Sequence, residues 1–365
     1  MLARCRRTPT ALIGSAFLVI WAHPIALAAG TCVQPADGAG VTLPVTRTIE
    51  IDPAAGTLYG SMTRQPHERS FLRPMEVVLS FDDGPMPWVT RSILDTLDRF
   101  CTKATFFSVG RMALAYPATV RDVIARGHTL GSHTYTHPFN MPLMKREAAE
   151  AEIERGLAAV ATAVGGPIAP FFRFPGLGDG KGLLGYLRRR GIATFTVDVV
   201  SNDSYIHDKQ LLIDRTLAEV KRNRGGIILF HDIKTTTAKA LPEILARLKA
   251  EGFSVVHLTS KTNAEPLADM MSAVAPQLAK AAGDSRDKHS LVPFYGAIGP
   301  EKGASAGALQ ATSVQQGTRK ATSGRNAKTQ DGPQKSDHVA SHSRAGGWVT
   351  KIKRREQTAA TKPVP

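Results

Sequence analysis

The sequence predicts an α/β fold: a distorted, incomplete (β/α) barrel with parallel strands, followed by a disordered basic C-terminal tail. Three observations point there. Apolar runs rich in β-formers alternate with helix-period segments, a pattern that builds a parallel sheet with covering helices. Residues able to do chemistry fall just after those runs, at the edge where α/β folds build sites. The patterned stretch, from about Met75 to about Leu258, is shorter than the usual eightfold barrel.

The elements follow in order. Residues 1–28 read as a signal peptide. Arg4, Arg6 and Arg7 precede an apolar stretch, Ala11 to Trp21, too short to span a bilayer comfortably. Ala26-Leu27-Ala28 has the form of a cleavage site, so the chain is expected to be exported, to the periplasm or beyond the cell. Residues 29–73 have weak periodicity and read as an irregular extension. The main domain spans 74–260. Val77 to Phe81 is a buried strand closed by Asp82-Asp83-Gly84-Pro85. Val89 to Phe100 has helical spacing, Ala104 to Val109 is strand-like, and Ala118 to Arg126 is a helix ending at Gly127. His128 to Gly131 begins a short strand. Lys145 to Val164 is an amphipathic helix, Phe171 to Phe174 a strand, Leu183 to Arg190 a helix and Thr194 to Val200 a strand. Then come a helix from Leu211 to Asn223, a strand from Gly226 to Phe230, a helix from Leu241 to Ala250 and a final strand from Phe253 to Leu258.

Residues 261–284 form a connector, with a short helix from Leu267 to Ala275 that Pro276 stops or kinks. Residues 285–365 hold too few large apolar side chains to offset ordering entropy and are expected to be disordered. The formal net charge is +15, and residues 276–365 carry 15 basic against 6 acidic side chains. Such a tail suits an anionic envelope polymer or membrane surface. Export argues against nucleic acid as a partner. Cys5 leaves with the signal, while Cys32 and Cys101 are either paired or free. No Cys-x-x-Cys spacing exists, which excludes a zinc-thiolate site of that type.

The candidate chemistry lies in four segments. Asp82 and Asp83 are adjacent carboxylates at a strand end, able to diverge toward two tasks: one ligating a cation, the other reaching the water on it. His133 and His137 lie four apart, on one face of a single helical turn, and can reach one metal. Arg173 sits among aromatics and needs a partner, Asp82 or another nearby carboxylate. His231 follows a buried strand, where an imidazole suits general acid work. A divalent ion with three protein ligands, Zn(II) above all, keeps a position open for water. Two His and a carboxylate also describe a non-haem iron site, but there the carboxylate generally lies close to one His in sequence.

Together these segments resemble the polysaccharide deacetylase family, whose catalytic domain is shared with the nodulation chitooligosaccharide deacetylases. The resemblance covers about Pro74 to Leu258. Ser80-Phe81-Asp82-Asp83-Gly84-Pro85 is similar to the family's first motif and implies Asp82 as general base and Asp83 as metal ligand. Gly131 to Pro138 is similar to the second and implies His133 and His137 as ligands. Lys103-Ala104-Thr105-Phe106-Phe107 also looks like the family. Arg173-Phe174-Pro175-Gly176 is similar to the third, with Arg173 on the base and the Gly176 N–H on the oxyanion. Leu229-Phe230-His231-Asp232 is similar to the fifth, with His231 as general acid. The fourth motif departs: aligned on Asn202-Asp203, the family's Trp is Ser204 and its inner Asp is Val200. Asp198 is expected to take that inner role from a shifted position. The resemblance implies an acetylated glycan as substrate, by N-deacetylation. An O-acetyl esterase and a glycan-binding protein with lost catalysis are the alternatives.

Overall fold

In the computed structural model, the described residues are 40–68 and 71–284. The expected signal peptide and the expected disordered basic tail, with Cys32, lie outside them. Cys101 is disulfide-bonded. The strands are β1 (Val45–Ile51), β2 (Leu58–Tyr59), β3 (Glu76–Asp82), β4 (Thr105–Ser108), β5 (Thr129–Ser132), β6 (Phe171–Phe172), β7 (Ala193–Phe195), β8 (Val199–Val200), β9 (Gly226–His231) and β10 (Ser254–Ser260). The helices are α1 (Pro87–Arg99), α2 (Gly110–Ala115), α3 (Pro117–Ala125), α4 (Arg146–Val164), α5 (Lys181–Arg189), α6 (Lys209–Asn223), α7 (Thr235–Ala250) and α8 (Ala268–Asp284).

All the paired strands run parallel. β3 is buried at every position, as a central parallel strand covered on both faces must be. From β3 the sheet runs through β4, β5 and β6 to β7 on one side, and to β9 and then β8 on the other. β7 and β8 belong to one stretch of chain. The sheet therefore curls round on itself, as expected of a distorted barrel. The single strand expected over Thr194 to Val200 is divided because its first part stays with the β2 segment, whereas the Asp198 N–H donates to the Ile227 carbonyl of β9 (2.9 Å). Thr196 N–H donates to the Tyr59 carbonyl (2.7 Å), and the Val197 carbonyl accepts from Met62 (2.9 Å).

Four expectations change. Residues 29–73 are not all irregular: β1 pairs with β10 along nearly its whole length, and β2 with β7. The alternating burial of Val45–Ile51 is that of a half-buried strand. α2 is short and carries no long apolar period, so its sequence does not announce it. α7 begins at Thr235 rather than Leu241 and accommodates Pro242, and α8 runs on through Pro276 to Asp284.

β1 is tied to β3 by charge as well as by the sheet. Arg47 Nε donates to Glu76 Oε1 (3.0 Å), and an Arg47 terminal nitrogen donates to the Phe71 carbonyl (3.1 Å). Glu76 is buried, at 6% exposure, and also accepts from the Arg73 N–H (2.8 Å). Arg47→Ala strands that carboxylate. It should lower stability by about 1–3 kcal/mol, read as a shifted urea midpoint with an unchanged slope.

Candidate active site

Strand register assembles the site. Asp82 lies abreast of Phe107 on β4 and of His231 on β9. The next residue, Asp83, has φ +78°, a left-handed turn that separates the two neighbouring carboxylates. Both are buried.

Asp82 turns to Arg173, just beyond β6. Its Oδ1 accepts from Arg173 Nη1 at 2.7 Å. The same nitrogen donates to Ser80 Oγ (2.9 Å), and Nη2 to the Thr196 carbonyl (3.3 Å). The guanidinium lies 4.2 Å from the centroid of the Phe107 ring and is fully buried. Of the partners open to Arg173, Asp82 is the one it takes.

Asp83 turns to the histidines. Its Oδ1 is 3.1 Å from His137 Nε2 and 3.5 Å from His133 Nε2. Ligand atoms of all three residues lie within 4.8 Å of one another. Asp83 Oδ1 is buried yet makes no hydrogen bond of acceptable geometry. Burial alone would raise the Asp83 carboxyl, but the His231, His137 and His133 imidazoles outweigh it and hold it well below the usual range. Burial pulls the His133 ring down, against Asp82, to about 4, so the ring is neutral at pH 7. Its Nδ1–H donates to the Arg173 carbonyl (2.7 Å), which leaves the Nε2 lone pair toward Asp83. Two imidazole nitrogens and an orphaned carboxylate oxygen fit a divalent cation of the zinc type.

The imidazoles do not converge by a helical turn, contrary to the expectation from their spacing. Residues 133–138 form a bend, with Thr134 (φ +68°) and His137 (φ +65°) left-handed. Pro138 disfavours helix before it. The bend is held from outside by α4: Glu152 accepts from the Thr136 N–H (2.8 Å) and hydroxyl (3.0 Å).

His231 meets Asp203, not Asp198. Its Nδ1 is 2.6 Å from Asp203 Oδ1, and its backbone N–H donates to Asp203 Oδ2 (2.7 Å). Thr237 Oγ1 donates to the same Oδ2 (2.6 Å), and Ser204 Oγ is 3.3 Å from Nδ1. Asp198 is engaged elsewhere, accepting from the Ser61 (2.9 Å) and Ile227 (2.8 Å) N–H groups where β8 and β9 begin. The role expected of it therefore falls to Asp203. The signal was present, since Asp203 is the residue on which the fourth motif aligns. Burial lowers His231, but the Asp203 and Asp83 carboxylates outweigh it and push the ring up to about 9. It is an imidazolium at pH 7, with Nε2 3.9 Å from Asp83 Oδ2.

Other neighbours complete the rim. Phe139 is 66% exposed and meets the His137 ring edge-on at 4.6 Å. A Cβ on Gly176 would lie 3.2 Å from the Phe139 ring, which puts Gly176 beside the histidine loop. Asp232 is buried and accepts from the Gly84 N–H (2.9 Å) and Thr90 Oγ1 (2.8 Å); burial, with the Asp83 charge, raises it to about 7. Asp232 fixes the turn that carries Asp83, a role its place in the His231-Asp232 pair did not disclose.

A parallel α/β barrel with a carboxylate–imidazole cluster at its carboxyl edge is the class that fold and site define. The polysaccharide deacetylase family model matches residues 72–195. The chitooligosaccharide deacetylase of Rhizobium leguminosarum bv. trifolii is 30% identical over 193 residues, covering 49% of this chain and 88% of that protein. Peptidoglycan-N-acetylmuramic acid deacetylase PdaC of Bacillus subtilis is 31% identical over 180 residues, 49% of this chain and 37% of that one. A solved peptidoglycan deacetylase of Bdellovibrio bacteriovorus superposes with a TM-score of 0.55 at 32% identity, covering 61% of each chain. The chain belongs to the polysaccharide deacetylase family. It spans well under half the length of the Bacillus relative.

Asp203→Asn removes the carboxylate charge that does most to raise His231. The alkaline limb of any activity depending on the imidazolium should move to lower pH by at least about one unit. A pH–rate profile of the variant beside the wild type measures it.

Proposed function

We propose that this chain is a metal-dependent hydrolase that removes N-acetyl groups from N-acetylglucosamine units of a polysaccharide or oligosaccharide: peptidoglycan, a chitin-like polymer or an exopolysaccharide. One observation carries the reading. The Asp83–His133–His137 cluster is flanked by Asp82 bound to Arg173 on one side and by His231 bound to Asp203 on the other. Relatives named for peptidoglycan and chitooligosaccharide deacetylation support it. Zn(II) is the proposed ion, on the donor set. The signal-like N-terminus supports an exported enzyme, and the basic tail an anionic envelope surface as a second contact.

When bound, a divalent ion supplies Lewis acidity toward an amide carbonyl and toward water. The chain's own groups supply the proton transfers. Asp82, oriented by Arg173, accepts the proton of the attacking water as its oxygen bonds to the acetyl carbon. The Gly176 N–H is assigned to the developing oxyanion. His231 Nε2 gives its proton to the amide nitrogen as the C–N bond breaks, releasing acetate and a free amine. An amine leaves poorly without a proton, whereas an alkoxide needs one less. The imidazolium form of His231 therefore favours amides over O-acetyl esters as substrates.

Acetate release from N-acetylglucosamine oligomers and from peptidoglycan should cease on chelation and return with Zn(II). Asp82→Asn should retain the metal and lose about 10²–10⁴-fold in kcat, while Asp83→Ala and His133→Ala should lose both metal and turnover. Metal content beside initial rates decides it, and normal turnover by Asp82→Asn would refute the assignment of the base.

A further inference from the structure

Tyr135 lies midway between the two imidazoles in sequence, but its side chain is occupied elsewhere. Its ring is buried, with the Arg155 guanidinium 4.2 Å from the centroid. A Cβ on Gly110, the first residue of α2, would come within 3.1 Å of that ring. The Tyr135 hydroxyl donates to Gln277 Oε1. Gln277 belongs to α8, beyond residues 72–195 that match the family model and beyond the domain end expected at 260.

α8 is firmly docked. Val274 is fully buried, Thr162 Oγ1 donates to Met271 Sδ (3.4 Å), and Met270, Met271 and Leu278 pack against the main core. The loop that α8 reaches is gripped on its other sides. Tyr135 N–H donates to the Glu152 carbonyl (3.0 Å), and the Thr134 and Tyr135 carbonyls accept from Gly110 (2.9 Å) and Arg111 (3.1 Å). Its backbone rests on Gly156, where a Cβ would lie 2.5 Å from the Thr134 carbonyl carbon. Such support has a reason. A non-glycine residue held left-handed costs on the order of 1–3 kcal/mol and persists only where its surroundings over-determine it. Thr134 and His137, on either side of Tyr135, are two such residues.

We propose that α8 is a positioning element of the metal site, with Gln277 holding the Tyr135 hydroxyl so that His133 and His137 stay converged on Asp83. The inference rests on the metal-dependent reading above. Tyr135 and Gln277 act as positioning residues, through the shape of the loop between the ligands.

The test uses the full chain and Zn(II), with affinity read by chelator competition and folding by thermal melting of the metal-free protein. Tyr135→Phe and Gln277→Leu should each weaken Zn(II) binding about 10-fold, the lower end of what outer-shell partners contribute. The double variant should be no weaker than either single, since both remove one contact. Gln277→Glu keeps an acceptor oxygen and should stay within about twofold of the wild type. Unchanged affinity in both single variants, or additive losses in the double, would overturn the proposal. So would a lowered melting temperature with affinity intact, the mark of a merely structural contact. A wild-type chain that bound no Zn(II) would overturn the metal-dependent function as well. Wild-type binding with unaffected variants overturns the role of α8 alone.

Discussion

Arg173 is the residue on which the site turns. It is a fully buried cation, and a buried charge persists only when paired and hydrogen-bonded. Its side chain answers to Asp82, Ser80 and the Thr196 carbonyl, three separate points on the barrel wall. Its own carbonyl accepts from His133 Nδ1. One residue thus orients the proposed base through its guanidinium and selects the tautomer of a proposed metal ligand through its backbone. Because β6 ends at Phe172, beside Ser132 on β5, both effects follow from strand register.

The charges divide into two groups that pull apart. On one side an aspartate meets a permanent cation. On the other, Asp203 meets an imidazole and raises it, while burial lowers His133 in the middle. Two histidines less than a strand's width from the same carboxylate, Asp83, are driven to opposite protonation states. Separating titratable neighbours in this way accords with the proposed division into metal ligand and proton donor. A bound cation would cancel part of the Asp83 contribution to His231. The Asp203 contribution would remain, as it acts on the far nitrogen of the ring.

Much of this was legible in the chain. Alternating runs pointed to the parallel sheet, and the positions of Asp82, His133, Arg173 and His231 just after strands placed all four at one edge. What escaped notice has physical causes. Val45–Ile51 alternates cleanly, but it lies among Gly and Pro residues that read as loop, and its partner β10 is some two hundred residues away in sequence. The His133–His137 spacing fits a helical turn as well as a bend. Only the left-handed residues, which sequence does not announce when they are Thr and His, tell the two apart. Glu152 and Gln277 sit on helices whose outward periodicity gives no hint that they reach a distant loop.

The fourth motif shows how a departure in sequence can leave the carboxylate partner of His231 in place. Where the family has Trp, this chain has Ser204, whose hydroxyl lies near His231 Nδ1 but farther than Asp203 does. The ring nitrogen therefore keeps a charged acceptor as its main partner. Asp203 is itself fixed by the His231 N–H and by Thr237 at the start of α7, so its carboxylate cannot swing away. Asp198, free of that duty, ties Ser61 after β2 to Ile227 in β9. The two motif positions that differ, Val200 and Ser204, thus change local shape beside His231, while the carboxylate charge that raises its ring is kept.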